Sequence, residues 1–343
     1  MKYLRIEAPN SISLVVGADP LPGPHDVIVQ SNFVGLCRTD LEILRGELEP
    51  GWVTYPCVPG HEWSGVIAQI GVEVRDLNIG DPVVCEGRVP CNQCARCFEG
   101  ATNLCTEYDQ LGFTRHGGTA ELVRVPDFLV HRLPRSANLS AAVLIEPASS
   151  IVRGLERANL RSGESVGIIG IGTLGACGIL VTKLRSPRRL VAYGVRDAEL
   201  EFARRLGATE CINVASTKDE PGSKIDEQES LDVVIETAGS PSAVALATRI
   251  ARPGGRVILL GLAGAGRTLE IPSDRLPNKD LTILGSASYN RAAWAATVQL
   301  VADGLLDLSP ILGQQFEMSK FGDAFSALDK GSSVGKLVLA HDL

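Results

Sequence analysis

The stretch SVGIIGIGTLGACGILVTKL, residues 165–184, decides the fold of the middle of the chain. A short apolar run leads into a G-x-G-x-x-G pattern, and a helix-like run follows directly. The glycines permit a tight turn and close approach of a pyrophosphate, and the free N–H groups at the helix start favour a negative charge. In this strand–turn–helix context the pattern predicts a dinucleotide-binding turn. Its residues are Gly170, Gly172, Thr173, Leu174 and Gly175.

The chain around this turn alternates between strand-like and helix-like segments. The strand-like apolar runs are 164–172, 188–195, 231–239, 254–262 and 281–287, and the helix-like segments include 198–208 and 241–255. Strands that alternate with helices imply βαβ units and a parallel sheet. The sequence therefore predicts an α/β protein in which residues 151–288 form a Rossmann domain, a doubly wound parallel sheet.

The first 150 residues are richer in Gly and Pro. Short β-branched runs at 26–34, 65–71 and 81–87 are separated by turn signals, which predicts a β-rich, barrel-like domain over residues 1–150. After about Tyr289 comes a helix-like run, and the chain ends with the strand-like GKLVLAHDL. We expect residues 289–343 to return to the first domain.

The end of the second strand of the Rossmann domain bears on the coenzyme. An acidic residue there would bind the ribose 2′-OH of NAD, but the strand is predicted to end at Gly194, and Arg196 follows. A missing carboxylate removes repulsion against a 2′-phosphate, and a guanidinium can pair with it. The pattern favours NADP over NAD, although Asp197 could bind the ribose if the strand ran three residues further.

Four cysteines lie close together in CNQCARCFEGATNLC. Two-residue gaps let consecutive thiolates converge on one ion, and a fourth from a short loop closes a tetrahedron. Such a closed site predicts a structural zinc, with an iron–sulfur cluster as the alternative. The proposed ligands are Cys91, Cys94, Cys97 and Cys105.

VPGHEWSG, residues 58–65, raises the question of a second metal site. Cys37 in GLCRTD, His61 in this stretch and Glu146 in IEPAS offer one sulfur, one nitrogen and one oxygen ligand. Three protein ligands leave the open position that a catalytic zinc needs. Each residue alone has a plain structural explanation, so the prediction depends on their occurring with the other motifs.

Together these motifs resemble the zinc-dependent medium-chain alcohol and polyol dehydrogenases, over essentially the whole chain and in the order of that family. The resemblance implies a GroES-like catalytic domain beside the Rossmann domain, with Cys37, His61 and Glu146 as ligands of the catalytic zinc. It implies that Glu62 is a ligand that exchanges with water or lies just behind the ligands. It also implies that Thr39 relays the substrate's proton.

Three residues near the catalytic cysteine complete the expected site. Asp40 is placed to orient His61, as carboxylates behind metal-binding histidines do. Arg38 stands where many relatives have Gly. Classical alcohol dehydrogenases also have an Arg there, which contacts the pyrophosphate, and the resemblance implies the same contact for Arg38. Glu42 stands where the family has its distal relay histidine, and its carboxylate could still accept the proton.

The oxygen ligand Glu146 favours a polyhydroxylated substrate, a polyol, sugar or cyclitol, over a plain aliphatic alcohol. YPCVPGHEWSG and LGFTRHGGTAELV are similar to the cyclitol branch, notably the 2-deoxy-scyllo-inosamine dehydrogenases, with Trp63 and Arg115 as the distinctive residues. Sorbitol-, glucose- and threonine-type dehydrogenases are alternatives. A catalytically silent NADPH-binding protein is a further one, because a fold does not fix a function.

Composition limits the remaining possibilities. A net charge of −7 over 343 residues argues against nucleic acid as a partner. The Gly-rich run at 166–181 is too short for a membrane span, and the chain does not open like a secretory signal. Nine cysteines without such a signal favour metal ligation over disulfides. We expect a cytoplasmic homodimer or homotetramer, paired in this family along the sheet edge near 281–287.

Overall fold

The computed structural model describes residues 1–216, 230–264, 266–331 and 333–342. The chain folds into two compact units. The first consists of Met1–Glu146, Asn290–Gly304 and Leu312–Leu343, and the second of Pro147–Tyr289 and Leu305–Ile311. Residues 305–311 therefore cluster with the second unit, whereas the sequence predicts that everything from residue 289 onwards returns to the first.

The strands, in chain order, are β1 (Lys2–Ala8), β2 (Ser11–Val16), β3 (Asp26–Gly35), β4 (Glu62–Ile70), β5 (Pro82–Cys85), β6 (Leu122–Pro126), β7 (Val130–Arg132), β8 (Ser165–Ile169), β9 (Arg189–Gly194), β10 (Glu210–Asn213), β11 (Leu231–Glu236), β12 (Ala251–Leu259), β13 (Thr282–Gly285), β14 (Leu312–Glu317) and β15 (Lys336–Ala340). The helices are α1 (Arg38–Arg45), α2 (Ala95–Phe98), α3 (Leu139–Ala142), α4 (Ile145–Arg157), α5 (Thr173–Lys183), α6 (Asp197–Leu206), α7 (Pro241–Ile250), α8 (Arg275–Asn278), α9 (Arg291–Ala302) and α10 (Phe321–Lys330).

The second unit is built on a parallel sheet. Over its described residues the strand order is β10–β9–β8–β11–β12–β13, and each neighbouring pair is parallel. All five residues of the central strand β8 are buried, as expected for an apolar strand covered on both faces. The order reverses beside β8, so the glycine turn after this strand lies at the switch point where such sheets bind ligands. The prediction of a Rossmann-type parallel sheet is confirmed.

The first unit is mostly antiparallel. Its larger sheet runs β14–β15–β3–β4–β5–β7 with β6 on β3, and β1 and β2 form a separate hairpin. β15, from the end of the chain, pairs antiparallel with β3, so the C-terminal segment joins this sheet. Buried apolar side chains such as Leu4, Trp63 and Leu111 form the core. The unit therefore brings residues from both ends of the chain next to β3 and β4.

One predicted helix is shorter in the structure. The segment 241–255 is helical only over Pro241–Ile250, because Ala251 already begins the next strand. Ser240 caps this helix with its hydroxyl, which accepts from the N–H of Ala243 at 3.2 Å. Pro253 and two glycines follow in β12, so the chain cannot extend the helix there.

Candidate functional site

Cys37 lies just after β3, as the N-cap of α1, and Asp40 holds it there. The N–H of Cys37 donates to Oδ2 of Asp40 at 2.8 Å, which satisfies a backbone group that the start of a helix leaves free. Gly46 ends the helix in a left-handed conformation. The C-x-T-D spacing therefore forms a helix cap that holds the Cys37 thiol at the start of α1.

His61 and Glu62 follow the Pro-Gly turn at the start of β4, and both are buried. One ligand atom each from Cys37, His61 and Glu62 lies within 4.8 Å of the others. Oδ1 of Asp40 is 3.5 Å from Nδ1 of His61, so the same carboxylate faces the ring and binds the Cys37 backbone. The structure therefore brings together a sulfur, a nitrogen and an oxygen donor.

Glu146 lies at the start of α4, beside this group rather than within it. Burial raises the pKa of Glu146 to about 7, while His61 lowers it and Glu62 raises it. The three predicted ligands are thus neighbours, but Glu62 occupies the compact set and Glu146 stands next to it. The pKa of His61 is also raised, because Asp40 and Cys37 outweigh burial, which lowers it.

The donor set fits a divalent cation. Thiolate, imidazole and carboxylate are the ligands that zinc prefers, and buried anionic side chains require a counter-charge. Because Asp40 is itself buried with both its oxygens directed at this group, it can orient His61 in the way that supports a zinc ligand.

Sequence reasoning missed three side chains here. Lys336, the first residue of β15, is buried and pairs with Oε2 of Glu62. Phe113 packs its ring 5.3 Å from that of His61. The guanidinium of Arg88 lies over the Tyr108 ring and acts electrostatically on Glu146. A lysine within the apolar run of β15 is an unusual feature of the sequence. The sequence does not show, however, that this lysine lies next to Glu62 in the folded chain.

The predicted relay residues lie on α1. Oγ1 of Thr39 is 3.7 Å from Sγ of Cys37, next to the candidate metal group. Glu42 is one turn further along the helix, and its pKa is raised chiefly by burial. Nε of the exposed Arg38 is 3.7 Å from Oε1 of Glu42. The contact of Arg38 with a pyrophosphate stays a prediction.

The four-cysteine lobe is assembled around α2. Sγ–Sγ distances are 3.6 Å for Cys94–Cys97, 3.9 Å for Cys91–Cys97 and 4.0 Å for Cys94–Cys105. Four sulfurs about 2.3 Å from one zinc at tetrahedral angles are about 3.8 Å apart. Backbone N–H groups of Thr106 and Cys97 lower the pKa of Cys94 to about 5, whereas burial and the neighbouring thiols raise the pKa of Cys97. The spacing suits a single ion; an iron–sulfur cluster would hold its cysteines further apart.

The glycine turn after β8 has the form that the motif predicts. Gly170 has φ +88°, a left-handed conformation that favours glycine. A Cβ on Gly175 would lie 1.9 Å from the carbonyl oxygen of Gly170, so the helix packs too closely for any side chain. A Cβ on Gly172, the N-cap of α5, would meet nothing within 4 Å. The turn thus presents open space at the N-terminus of α5, beside Thr173 and Leu174.

The end of β9 lies at Gly194, as predicted, and Arg196 is the N-cap of α6. Asp197 belongs to the helix, and its Oδ1 accepts from Nδ2 of Asn213 at 2.7 Å. Nη2 of Arg196 donates to Oε1 of Glu199 at 2.6 Å. The strand does not run three residues further, so Asp197 is not at the strand end.

The two residues distinctive of the cyclitol branch have structural roles. Trp63 is 2% exposed and belongs to the core of the first unit. Arg115 is exposed and pairs with Asp109. Across the described ranges, no helix is both long and apolar enough to cross a membrane.

Comparison with known proteins agrees with this architecture. Residues 23–135 match the alcohol dehydrogenase GroES-like domain, and residues 173–303 match the zinc-binding dehydrogenase domain. L-threonine 3-dehydrogenase of Shewanella sp. (strain W3-18-1) is 32% identical over 349 residues, covering 100% of both chains. The chain therefore belongs to the zinc-dependent medium-chain alcohol dehydrogenases, a family of oxidoreductases.

Solved structures show the same fold with either coenzyme. A zinc-binding dehydrogenase of Sinorhizobium meliloti 1021 bound to NADP has a TM-score of 0.92 at 26% identity, over 99% of this chain and 98% of that one. The alcohol dehydrogenase rspB of E. coli CFT073, in complex with NADH, has a TM-score of 0.91 at 26% identity, over 99% of each chain. The predicted fold class, a GroES-like domain with a Rossmann sheet, is confirmed.

Proposed function

We propose that the chain oxidises a secondary alcohol of a polyhydroxylated substrate, or reduces the corresponding ketone, with zinc and NADP. The observation that carries the proposal is the convergence of Cys37, His61 and Glu62 beside Glu146. Zinc held there would act as a Lewis acid that lowers the pKa of the substrate hydroxyl, and the coenzyme would accept the hydride.

The chain's own residues position the reactants and move the proton. Asp40 fixes both the Cys37 backbone and the orientation of the His61 ring. Thr39, whose hydroxyl lies beside Cys37, accepts the proton of the substrate alcohol and passes it to Glu42 or to water. A Glu42 carboxylate whose pKa is raised by burial is a better proton acceptor than an ordinary one.

Three observations support NADP rather than NAD. β9 ends in Gly194 without a carboxylate, and the Asp197 carboxylate is bound by Asn213. Arg196 stands next to the strand end, where a 2′-phosphate would lie. NAD is the alternative.

The substrate proposal is a cyclitol or aminocyclitol of the 2-deoxy-scyllo-inosamine type. It is supported by the oxygen donors of Glu62 and Glu146 and by the sequence resemblance. A threonine-type dehydrogenase is the second candidate, because the L-threonine 3-dehydrogenase of Shewanella sp. matches this chain over the full length of both. Family membership favours an enzyme over a silent NADPH-binding protein.

Assembly and location complete the proposal. β13 is the last strand of the parallel sheet along the described chain, so its free edge could pair with a second copy in a homodimer or homotetramer. A cytoplasmic location is consistent with cysteines used as metal ligands.

The test is the near-ultraviolet absorbance of the reduced coenzyme on mixing zinc-loaded protein with NADP or NAD and a substrate panel. The panel contains 2-deoxy-scyllo-inosamine, sorbitol, glucose and L-threonine, and Cys37→Ser is the control that loses a ligand. We expect turnover with the cyclitol or a polyol and none in the variant. Turnover with L-threonine alone would favour the second candidate. Equal turnover by Cys37→Ser would refute the metal assignment.

A further inference from the structure

Lys336 is the least expected charge in the first unit. Its side chain is 1% exposed at the start of β15, and its Nζ lies on Oε2 of Glu62. Lysine is almost never fully buried unless it is paired, because an isolated ammonium ion loses its hydration there. An apolar residue in this position would avoid the cost of burying a charge, so stability alone does not explain why a lysine stands here.

The two oxygens of Glu62 face different partners. Oε2 is held by Lys336, whereas Oε1 lies 4.0 Å from Nε2 of His61. Glu62 also contributes a ligand atom to the candidate metal group with Cys37 and His61. Lys336 therefore pairs with one oxygen of the Glu62 carboxylate, and the other oxygen faces His61.

The backbone beside this pair leaves room for it. Gly35, at the end of β3, pairs with Glu62 across the sheet. A Cβ on Gly35 would lie 2.6 Å from Cε of Lys336 and 2.7 Å from Oε2 of Glu62. Because Gly35 has an ordinary strand backbone, its lack of a side chain is explained by this contact and not by a turn. The sequence thus supplies both the ion pair and the space it needs.

A carboxylate next to a zinc ion can bind it through one oxygen or through both. With Cys37, His61 and one oxygen of Glu62 as ligands, a second bond from the other Glu62 oxygen would take the fourth position of a tetrahedral zinc, and the substrate hydroxyl would then have nowhere to bind. An opposite charge that holds one Glu62 oxygen away from the metal prevents this.

We propose that Lys336 is a positioning residue that keeps Oε2 of Glu62 off the metal, so that one coordination position stays open for the substrate oxygen. This inference rests on the proposed metal site. It assigns to Gly35 the supporting role of leaving space for the Lys336 side chain.

The test uses the full-length protein loaded with cobalt(II) and titrated with imidazole, a small ligand that needs an open position. Binding is followed through the ligand-field absorption bands. The tetrathiolate lobe is closed, so its bands do not change on titration. In Lys336→Met we expect Glu62 to take the open position and imidazole affinity to fall about 10- to 100-fold.

Four further variants separate positioning from a merely structural role. Lys336→Met combined with Glu62→Gln restores imidazole binding, because the amide competes poorly for the metal. Lys336→Arg retains it, and Gly35→Ala, which displaces the pair without removing it, weakens it. Lys279→Met removes a partly buried lysine whose Nζ donates to two backbone carbonyls in the second unit, and it leaves imidazole binding unchanged.

Unchanged imidazole affinity in Lys336→Met would overturn the inference, as would failure of Glu62→Gln to restore it. If Lys336→Met does not fold, the imidazole affinity of cobalt-loaded Gly35→Ala tests the inference instead, and an unchanged affinity there would overturn it. Failure of the metal site itself is distinguishable, because Cys37→Ser would then leave the cobalt bands and their imidazole response unaltered.

Discussion

Arg196 and Glu199 offer a quantitative test of the coenzyme assignment. The side chain of Arg196 is 44% exposed, and it donates to Oε1 of Glu199 at 2.6 Å within the first turn of α6. A hydrogen bond from this guanidinium to a 2′-phosphate contributes about 1.5–3 kcal/mol, since the partner is charged. Arg196→Ala should therefore weaken NADP about 10- to 150-fold and leave NAD unchanged.

If Arg196 binds the 2′-phosphate as proposed, Glu199 would compete with the phosphate for the same guanidinium. Ion pairs three residues apart on a helix are worth about 0.2–0.5 kcal/mol, and exposed pairs rarely exceed about 1 kcal/mol. Glu199→Gln should therefore tighten NADP about two- to fivefold without affecting NAD. Glu201→Gln is the matched control, because Glu201 pairs with Arg205 on the same helix at 3.2 Å.

Isothermal titration calorimetry with each coenzyme measures these effects without a known substrate. Equal weakening of NAD and NADP in Arg196→Ala would show that the residue does not recognise the 2′-phosphate. Tighter binding of NAD than NADP by the wild-type protein would refute the reasoning from Gly194 and Arg196.

Three other changes test separate parts of the molecule. Burial raises the pKa of Asp232, but hydrogen bonds from Ser165 and Arg252 outweigh it and lower the pKa to about 2. The side chain is only 14% exposed, so Asp232→Asn should cost about 2 kcal/mol of unfolding free energy at neutral pH. Since the folded pKa is depressed, this difference is present above about pH 4 and disappears as the pH falls towards 2; a pH-independent difference in denaturant unfolding would contradict it. Thr39→Val should lower kcat about 10²- to 10⁴-fold with little change in KM, measured at saturating coenzyme, because the proton loses its acceptor. Cys97→Ser should release one zinc and lower the Tm, as followed by metal analysis and calorimetry; full metal retention would exclude the tetrathiolate site.

Much of the fold follows from local sequence. The apolar runs and the glycine turn predict the parallel sheet, since βαβ units have a fixed topology and Gly170 and Gly175 have steric roles. The cysteine lobe is also local: two-residue gaps place Cys94 and Cys97 on one short turn. The N-cap of α1 explains why Cys37 and Asp40 occur together.

The parts that were not predicted depend on distant pairing. β15 reaches β3 only in the folded chain, so the sequence gives no local sign that Lys336 meets Glu62. The relative places of Glu62 and Glu146 likewise depend on how distant parts of the first unit fold together. The pairing of Glu199 with Arg196 likewise depends on where β9 ends and α6 begins, because this boundary makes Arg196 the N-cap of the helix.

The metal content of the purified protein is the most direct test of the two proposed zinc sites, because it needs no knowledge of the substrate. Among the residues that the structure describes, two groups could each hold an ion, the lobe and the Cys37–His61–Glu62 set. We expect two zinc ions per chain in the wild-type protein and one in Cys37→Ser, with the lobe still occupied. One zinc per wild-type chain that Cys37→Ser does not remove would contradict it.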